Sequence, residues 1–268
     1  MFQSRKNSDE PEIVPEKLHS SISIKTLVVI LGIVVSFQIY LYVAFPNPDD
    51  PNLDFVVTIF SFITPLIASI AAFFVTKRYW HSKIFGKSYL ALSLGMLMNA
   101  VGEIAYYILE QQGDVPSPSV ADIAFLAFYP LAFYYLAKNI KFFKPKINII
   151  TKLLVVALPA IVIGVYAVLE FSQTQTANTE FYLGLSYAVG SAVILSGAIL
   201  GALIFRQGIL GIPWLILAIG LTLTTIGDNW YSYLGIYDQY TLVHPVNMLW
   251  YAGYLVVAYA LYKHKNVI

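Results

Sequence analysis

Two acidic residues lie inside long apolar stretches of this sequence, where a charged side chain is expensive. Glu103 lies roughly two turns before the end of one apolar run, and Asp228 holds the matching place in another. An acid at the centre of a bilayer costs ~2.5–3.5 kcal/mol on insertion scales, so such residues usually face a bundle interior and take part in function. Asn99 precedes Glu103 by four residues and Tyr106 follows it by three, which places both on the same helical face.

These acids belong to a sequence repeat. Residues 86–137 align with residues 211–262 without a gap when the chain is shifted by 125 positions. The matched pairs are Gly95 and Gly220, Gly102 and Gly227, Glu103 and Asp228, Tyr106 and Tyr231, Asp122 and Asn247, and Tyr129 and Tyr254. Matching glycines, tyrosines and acids are not expected from a chance overlap of apolar runs, so the chain is interpreted as a duplication.

The elements that position these residues are membrane helices. A mean hydropathy of +0.70, with 58% hydrophobic and 12% charged residues, excludes a soluble domain of 268 residues. Eight apolar segments are predicted at about 26–45, 53–76, 86–109, 121–137, 150–171, 181–205, 211–236 and 243–262. Several exceed the ~20 residues that a helix needs to cross a bilayer. The predicted fold class is an all-α integral membrane protein with eight transmembrane helices.

Basic residues predict the orientation. They lie in alternate connections and in the tail: Lys77, Arg78, Lys83, Lys87, Lys138, Lys141, Lys144, Lys146, Arg206, Lys263 and Lys265. The other connections lack Lys and Arg and carry Asp49, Asp50, Asp114, Glu180 and Asp238. Positive connections stay cytoplasmic, so we expect a multi-pass protein of the cell membrane with both termini in the cytoplasm.

The predicted organisation is two parallel four-helix repeats, 25–145 and 146–262, between a disordered cytoplasmic tail at 1–24 and a short tail at 263–268. Gly95 and Gly102 are seven residues apart, as are Gly220 and Gly227, so each pair lies on one helix face. Small residues allow close helix approach, and we expect them to pack the third and seventh helices tightly against each other.

The predicted orientation brings the polar positions of both repeats to the outer half of the bilayer, where an aromatic pocket for a small or amphiphilic ligand is expected. Its predicted residues are Asn99, Glu103, Tyr106, Asp122, Asp228, Tyr231, Asn247 and Trp250. Two structural explanations compete with this hypothesis. The carboxylates could simply join neighbouring helices, and Asp122 suits the first turn of a helix, where the dipole favours negative charge.

Metal and cofactor sites are not expected. The chain has no cysteine, and its histidines, His19, His81, His244 and His264, are too scattered for a metal cluster. Only His244 lies near the predicted pocket. It is either a loop histidine at the membrane interface or a residue that acts as an acid or base in the pocket. A net charge of +1 implies no nucleic-acid partner.

Three parts of the first repeat form a recognisable pattern: Gly102-Glu103 with Tyr106, residues 116–122 (Pro-Ser-Pro-Ser-Val-Ala-Asp), and Tyr129-Pro130. This pattern resembles the multi-span membrane region that precedes the output domains of some diguanylate cyclases and histidine kinases. The resemblance covers about 86–137 and 211–262. It implies a sensory or ligand-binding module rather than an enzyme. Only six residues follow Tyr262, so we expect the signal to pass through a separate partner.

A looser resemblance is to lysoplasmalogenase-type membrane hydrolases, which are eight-span proteins with an acid near a span end in each half. It implies that Glu103 and Asp228 act on a lipid or lysolipid, one activating water and the other protonating the leaving group. A carrier for a small solute is a third possibility. It is weakened because no acidic relay continues toward the cytoplasmic side.

Overall fold

The computed structural model describes residues 22–48, 50–82, 84–113, 115–142, 147–205 and 211–267. These residues form eight helices: α1 (Ile24–Ala44), α2 (Leu53–Arg78), α3 (Phe85–Glu110), α4 (Val120–Phe142), α5 (Ile149–Thr174), α6 (Thr179–Phe205), α7 (Gly211–Ile236) and α8 (Asn247–Val267). Seven of them, α1 to α7, are long and apolar enough to cross a membrane. The protein is therefore an all-helical protein of the multi-pass membrane type.

The helix boundaries lie close to the predicted apolar segments. The largest differences are at α4, which continues to Phe142, and at α8, which begins at Asn247 and continues through Val267. Residues 241–246 form turns around Pro245, and a proline disfavours the helical conformation in the residue before it, so α8 starts later than its apolar pattern. Residues 1–21 of the predicted tail at 1–24 lie outside the described residues, as do Asp49, Lys83, Asp114, Lys144, Lys146 and Arg206.

Six helices close into a ring in the order α2, α3, α4, α6, α7, α8, with α8 packed on α2. Adding four to each helix number maps the α2–α3 contact onto α6–α7, α3–α4 onto α7–α8, and α2–α8 onto α6–α4. The two remaining helices depart from this pattern, since α1 packs on α8 whereas α5 packs on α6 and α7.

The ring places the connections of like charge at the same end. Asp122 near the start of α4 contacts Tyr187 near the start of α6, so these two helices run parallel. Ser61 of α2 likewise lies beside Tyr251 of α8, with 3.2 Å between their hydroxyl oxygens. We call the end that carries the α1–α2, α3–α4, α5–α6 and α7–α8 connections the acidic end, and the opposite one the basic end.

Paired glycines bring neighbouring ring helices together. A Cβ at Gly102 of α3 would lie 2.6 Å from the ring of Phe125 in α4, and one at Gly227 of α7 would lie 2.8 Å from Nε1 of Trp250 in α8. Phe125 and Trp250 are themselves 125 positions apart. The prediction that these glycines allow close helix packing is confirmed, whereas the expectation that they pack α3 against α7 is wrong. The glycines of α3 face α4, and those of α7 face α8. In both cases the second helix follows the first directly along the chain, and the two pack as a hairpin.

An apolar layer fills the ring toward the basic end. Its most deeply buried side chains, each 0–1% exposed, include Leu92, Met96, Tyr135, Trp214, Leu217, Val257 and Leu261. The Tyr135 and Trp214 rings stack with 5.8 Å between centroids. By contrast α5 buries only Tyr166 among its residues, and its other face is apolar and exposed. Such a face suits contact with lipid.

We expect Gly220→Ala to destabilise the protein by ~1–3 kcal/mol, the usual range for overpacking. A Cβ there would lie 2.9 Å from the backbone oxygen of Gly253 and 2.9 Å from the backbone nitrogen of Val257, and backbone atoms cannot move aside cheaply. Unfolding in detergent, followed by circular dichroism, measures the change. Gly32→Ala is the matched control, since a Cβ at Gly32 meets no atom within 4 Å. Equal stability of both variants would contradict close α7–α8 packing.

Candidate functional site

Asp228 is held by two donors from different helices. The Trp250 indole Nε1 donates to its Oδ1 at 2.8 Å, and the Tyr129 hydroxyl donates to its Oδ2 at 3.4 Å. These side chains come from α8 and α4, so the carboxylate of α7 joins three helices across the ring. Gly227 permits the arrangement, because it lets the indole lie against the α7 backbone. Both oxygens of the Asp228 carboxylate therefore accept hydrogen bonds that connect α7 to its neighbours.

Glu103, the matching acid of α3, lies deep in the ring and has no such support. Its side chain remains partly exposed, and none of the described residues donates a hydrogen bond to its carboxylate. Four tyrosines are close enough to interact with it electrostatically: Tyr231, Tyr240, Tyr251 and Tyr254. We call the region between Glu103 and these four tyrosines, of which Tyr251 is fully buried, the vestibule.

The matched positions around the two acids differ in two ways: the aromatic ring is a phenyl group in place of an indole, and Tyr129 donates a hydrogen bond to Asp228 whereas Tyr254 donates none to Glu103. Phe125 stands at the position that corresponds to Trp250, and its phenyl ring has no N–H group to donate. Tyr254 corresponds to Tyr129, and it lies within electrostatic reach of both Glu103 and Asp228. Two equivalent acids therefore have different surroundings, one fully engaged and one open.

Asp122 is a capping residue. Its Oδ2 accepts hydrogen bonds from the Ser119 backbone N–H at 2.7 Å and the Ser119 hydroxyl at 2.9 Å, while the Asp122 N–H lies 3.4 Å from the Ser119 Oγ. This reciprocal pattern is a capping box at the start of α4. The Tyr187 hydroxyl of α6 donates to the other carboxylate oxygen at 2.8 Å. The local explanation for Asp122, an acid in the first turn of a helix, agrees with this geometry.

Asn247 organises the α7–α8 connection. Its side-chain nitrogen donates to the Leu242 carbonyl at 2.8 Å, and its side-chain oxygen accepts from the Tyr240 hydroxyl at 3.2 Å. In the same connection the Val246 N–H donates to Nδ1 of His244 at 3.1 Å. Burial lowers the pKa of His244, which keeps its ring neutral at pH 7 and able to accept that bond. Asn247 thereby fixes Tyr240 at the mouth of the vestibule.

The remaining predicted residues surround the same region. The Tyr231 ring lies 4.8 Å from that of Tyr240 and 5.4 Å from that of Trp250, so it completes the aromatic wall. Tyr106 is 41% exposed and lies within electrostatic reach of Tyr231 and Asp122. Asn99 is buried one turn below Glu103 on α3, toward the basic end.

An open groove leads to Tyr129 from the side of the bundle. It lies between α4 and α6, has a volume of about 490 Å³, and is lined by Leu126, Tyr129, Tyr182, Leu185, Ser186, Val189 and Gly190. The corresponding place between α2 and α8 is filled by α1, whose Phe37 stacks on Phe60 at 3.8 Å. Because α5 packs elsewhere, the α4–α6 groove stays uncovered.

The structure brings several further tyrosines to the site. Tyr129, Tyr187, Tyr251 and Tyr254 were not among the predicted binding residues. Tyr129 and Tyr254 carried a signal, because they match in the repeat, whereas Tyr187 and Tyr251 have no tyrosine at their matched positions. A second polar cluster at the basic end was also missed. There His264 is buried, its Nδ1 lies 2.7 Å from the Tyr89 hydroxyl, and its Nε2 has no partner among the described residues.

The described part of the chain contains no group of three or more His, Asp or Glu side chains arranged to hold a metal ion. No protein-family model matches the chain, and comparison with curated proteins and with solved structures gave no match. The geometry of the vestibule and its neighbours therefore carries the functional argument.

We expect Trp250→Phe to destabilise the protein by ~1–3 kcal/mol, because it leaves the partly buried Asp228 carboxylate without its shorter hydrogen bond. Thermal unfolding followed by circular dichroism measures the effect. Trp230→Phe is the control, since Trp230 is 41% exposed and contacts the His244 ring instead. In a double-mutant cycle with Asp228→Asn, a coupling energy near zero would mean that the indole does not support the carboxylate.

Proposed function

We propose that this protein is a membrane-embedded ligand-binding module, in which the vestibule receives a small molecule or lipid and the response passes to a signalling partner. The observation that carries the proposal is the Glu103 carboxylate, which is only partly exposed, accepts no hydrogen bond from the described residues and lies within electrostatic reach of four tyrosines. A carboxylate away from bulk water is costly unless something pairs with it. The resemblance to membrane regions of sensory kinases and cyclases is consistent with this role.

Binding is favoured over transport by what lies beneath the vestibule. The layer of Met96, Leu217, Val257 and Leu261 fills the ring toward the basic end, and each of these side chains is 0% exposed. A solute path needs polar groups or water along its length, and these four side chains are apolar. A carrier would have to open these contacts, whereas a binding module uses the vestibule as it stands.

An intramembrane hydrolase of a lipid or lysolipid is the second candidate, and one observation favours it. Tyr254 lies within electrostatic reach of both Glu103 and Asp228, so the two acids flank one hydroxyl group. In such a reaction Glu103 would activate water, because its oxygens are free. Asp228 would have to enter the reaction protonated in order to give its proton to the leaving group, which also requires it to release Trp250 or Tyr129.

Incubation with a total lipid and metabolite extract, followed by mass spectrometry of bound and free species, tests the proposal. We expect the purified wild-type protein to retain at least one species unchanged, and Glu103→Gln to lose it, because the substitution removes the charge and keeps the shape. Glu170→Gln is the control, since Glu170 is an acid of α5, outside the ring.

The outcomes separate the candidates. A species consumed by the wild type and spared by both Glu103→Gln and Asp228→Asn would establish the hydrolase instead. Retention of the same species by wild type and by Glu103→Gln would remove Glu103 from the site. No retained species in any sample would overturn the ligand-binding proposal.

The membrane arrangement that accompanies this function is also a proposal. We infer eight crossings in the cell membrane, two parallel four-helix repeats and cytoplasmic termini, which places the vestibule at the outer face. Its support is the absence of Lys and Arg from the acidic-end connections and the Lys-rich ends of α2 and α4.

Reporter fusions test this topology. We expect alkaline phosphatase to be inactive and a green fluorescent protein to be fluorescent when fused after Ile268, and the reverse when fused after Gly113 in the α3–α4 connection. The position after Ile268 depends on whether α8 crosses the membrane. An active phosphatase there would mean that α8 does not cross or that the orientation is inverted, and the Gly113 fusion distinguishes these two results.

A further inference from the structure

We propose that the vestibule ligand is an organic cation, held by the Glu103 carboxylate as counter-ion and by the rings of Tyr231, Tyr240 and Tyr254, which are the vestibule tyrosines with exposed surface. The inference rests on the proposed function and names the chemical class of its ligand. It also assigns different tasks to the duplicated acids, with Glu103 as the binding group and Asp228 as a structural one.

The charge balance around the vestibule favours a cation. No Lys or Arg occurs in residues 88–137 or 207–262, which supply α3, α4, α7 and α8 at the acidic end. Acids surround the entrance instead: Asp54, Glu110 and Asp122 all lie within electrostatic reach of Tyr106. A negative opening with low-dielectric walls concentrates cations and repels anions. The missing partner of Glu103 is therefore expected to come from solution.

Aromatic side chains make an organic ion preferable to a metal ion. Tyrosine faces attract ammonium groups, and the attraction reaches ~2 kcal/mol or more when the cation is desolvated. Calcium would need six to eight oxygen ligands, and magnesium near-ideal octahedral geometry. The described vestibule offers one free carboxylate among tyrosine rings and contains no cluster of acids able to hold a metal. An alkylammonium group matches this set of partners better.

Asp228 does not serve as the counter-ion. One of its oxygens accepts from Trp250 and the other from Tyr129, so binding a cation there would compete with both bonds. The first repeat has Phe125 in place of Trp250, which keeps the oxygens of Glu103 free. Without an indole donor, and without a hydrogen bond from Tyr254, the Glu103 carboxylate is left available as the binding group.

Isothermal titration calorimetry on the full chain in lipid nanodiscs tests the inference. The probes are tetramethylammonium, tetraethylammonium and choline, with 3,3-dimethylbutan-1-ol as the uncharged isostere of choline. We expect at least one of the cations to bind, choline to bind if the vestibule admits a hydroxyl group, and the neutral isostere to bind at least tenfold more weakly than choline. Glu103→Gln is expected to weaken cation binding at least tenfold, which corresponds to about 1.4 kcal/mol.

Two further variants separate binding from structural effects. Tyr254→Phe keeps an aromatic face and is expected to retain cation binding within about threefold, whereas Tyr254→Leu is expected to lose it. Glu170→Gln removes one negative charge outside the ring and is expected to leave binding unchanged. Circular dichroism confirms that each variant is folded before titration.

The results distinguish this inference from the proposed function. If none of the cations binds the folded wild type, or if Glu103→Gln binds them as well as the wild type, the organic-cation inference is overturned. A neutral or anionic species retained from the extract and lost in Glu103→Gln would then leave the binding module standing with another ligand class. If the extract also yields no species that depends on Glu103, both proposals fail together.

Discussion

The arrangement of this protein depends on the close approach of α3 to α4 and of α7 to α8 at paired glycines. At Gly102 and Gly227 the neighbouring helix presents an aromatic ring directly to the glycine backbone, and a single methyl group would collide with it. Tight hairpins of this kind let six helices close into a ring around one polar space. They also determine which side chain stands beside each buried acid, since Phe125 and Trp250 are the rings that occupy these contacts.

Duplication followed by local change explains how one fold accommodates two acids in its interior. Each repeat supplies an acid and a neighbouring aromatic ring, and the opposite repeat supplies a tyrosine that lies near that acid. In the second repeat the ring is an indole, and Asp228 gains a short hydrogen bond. In the first repeat the ring is a phenyl group, and Glu103 remains open. A buried polar group that is fully bonded stabilises one structure, whereas an unbonded one is a place where a ligand can contribute what the protein lacks.

The outermost helices add a second asymmetry. On one side α1 covers the junction of α2 and α8, and Phe37 fills the space between them. On the other side α5 packs on α6 and α7, so the α4–α6 groove reaches Tyr129 from the lateral surface. Tyr129 is both a wall of this groove and a donor to Asp228, which connects the side of the bundle with its polar interior.

The sequence by itself determined the eight helical segments and their approximate bounds, because continuous apolar runs and charged connections are local properties of the chain. It also determined that the acids occupy matched places, through the offset of 125 residues. Tertiary structure alone decided that the glycines of α3 and α7 face α4 and α8, that Tyr129 donates to Asp228, and that Tyr251 and Tyr254 approach Glu103. These pairings join helices far apart in sequence, and side-chain packing selects them among many combinations that hydrophobic periodicity leaves equal.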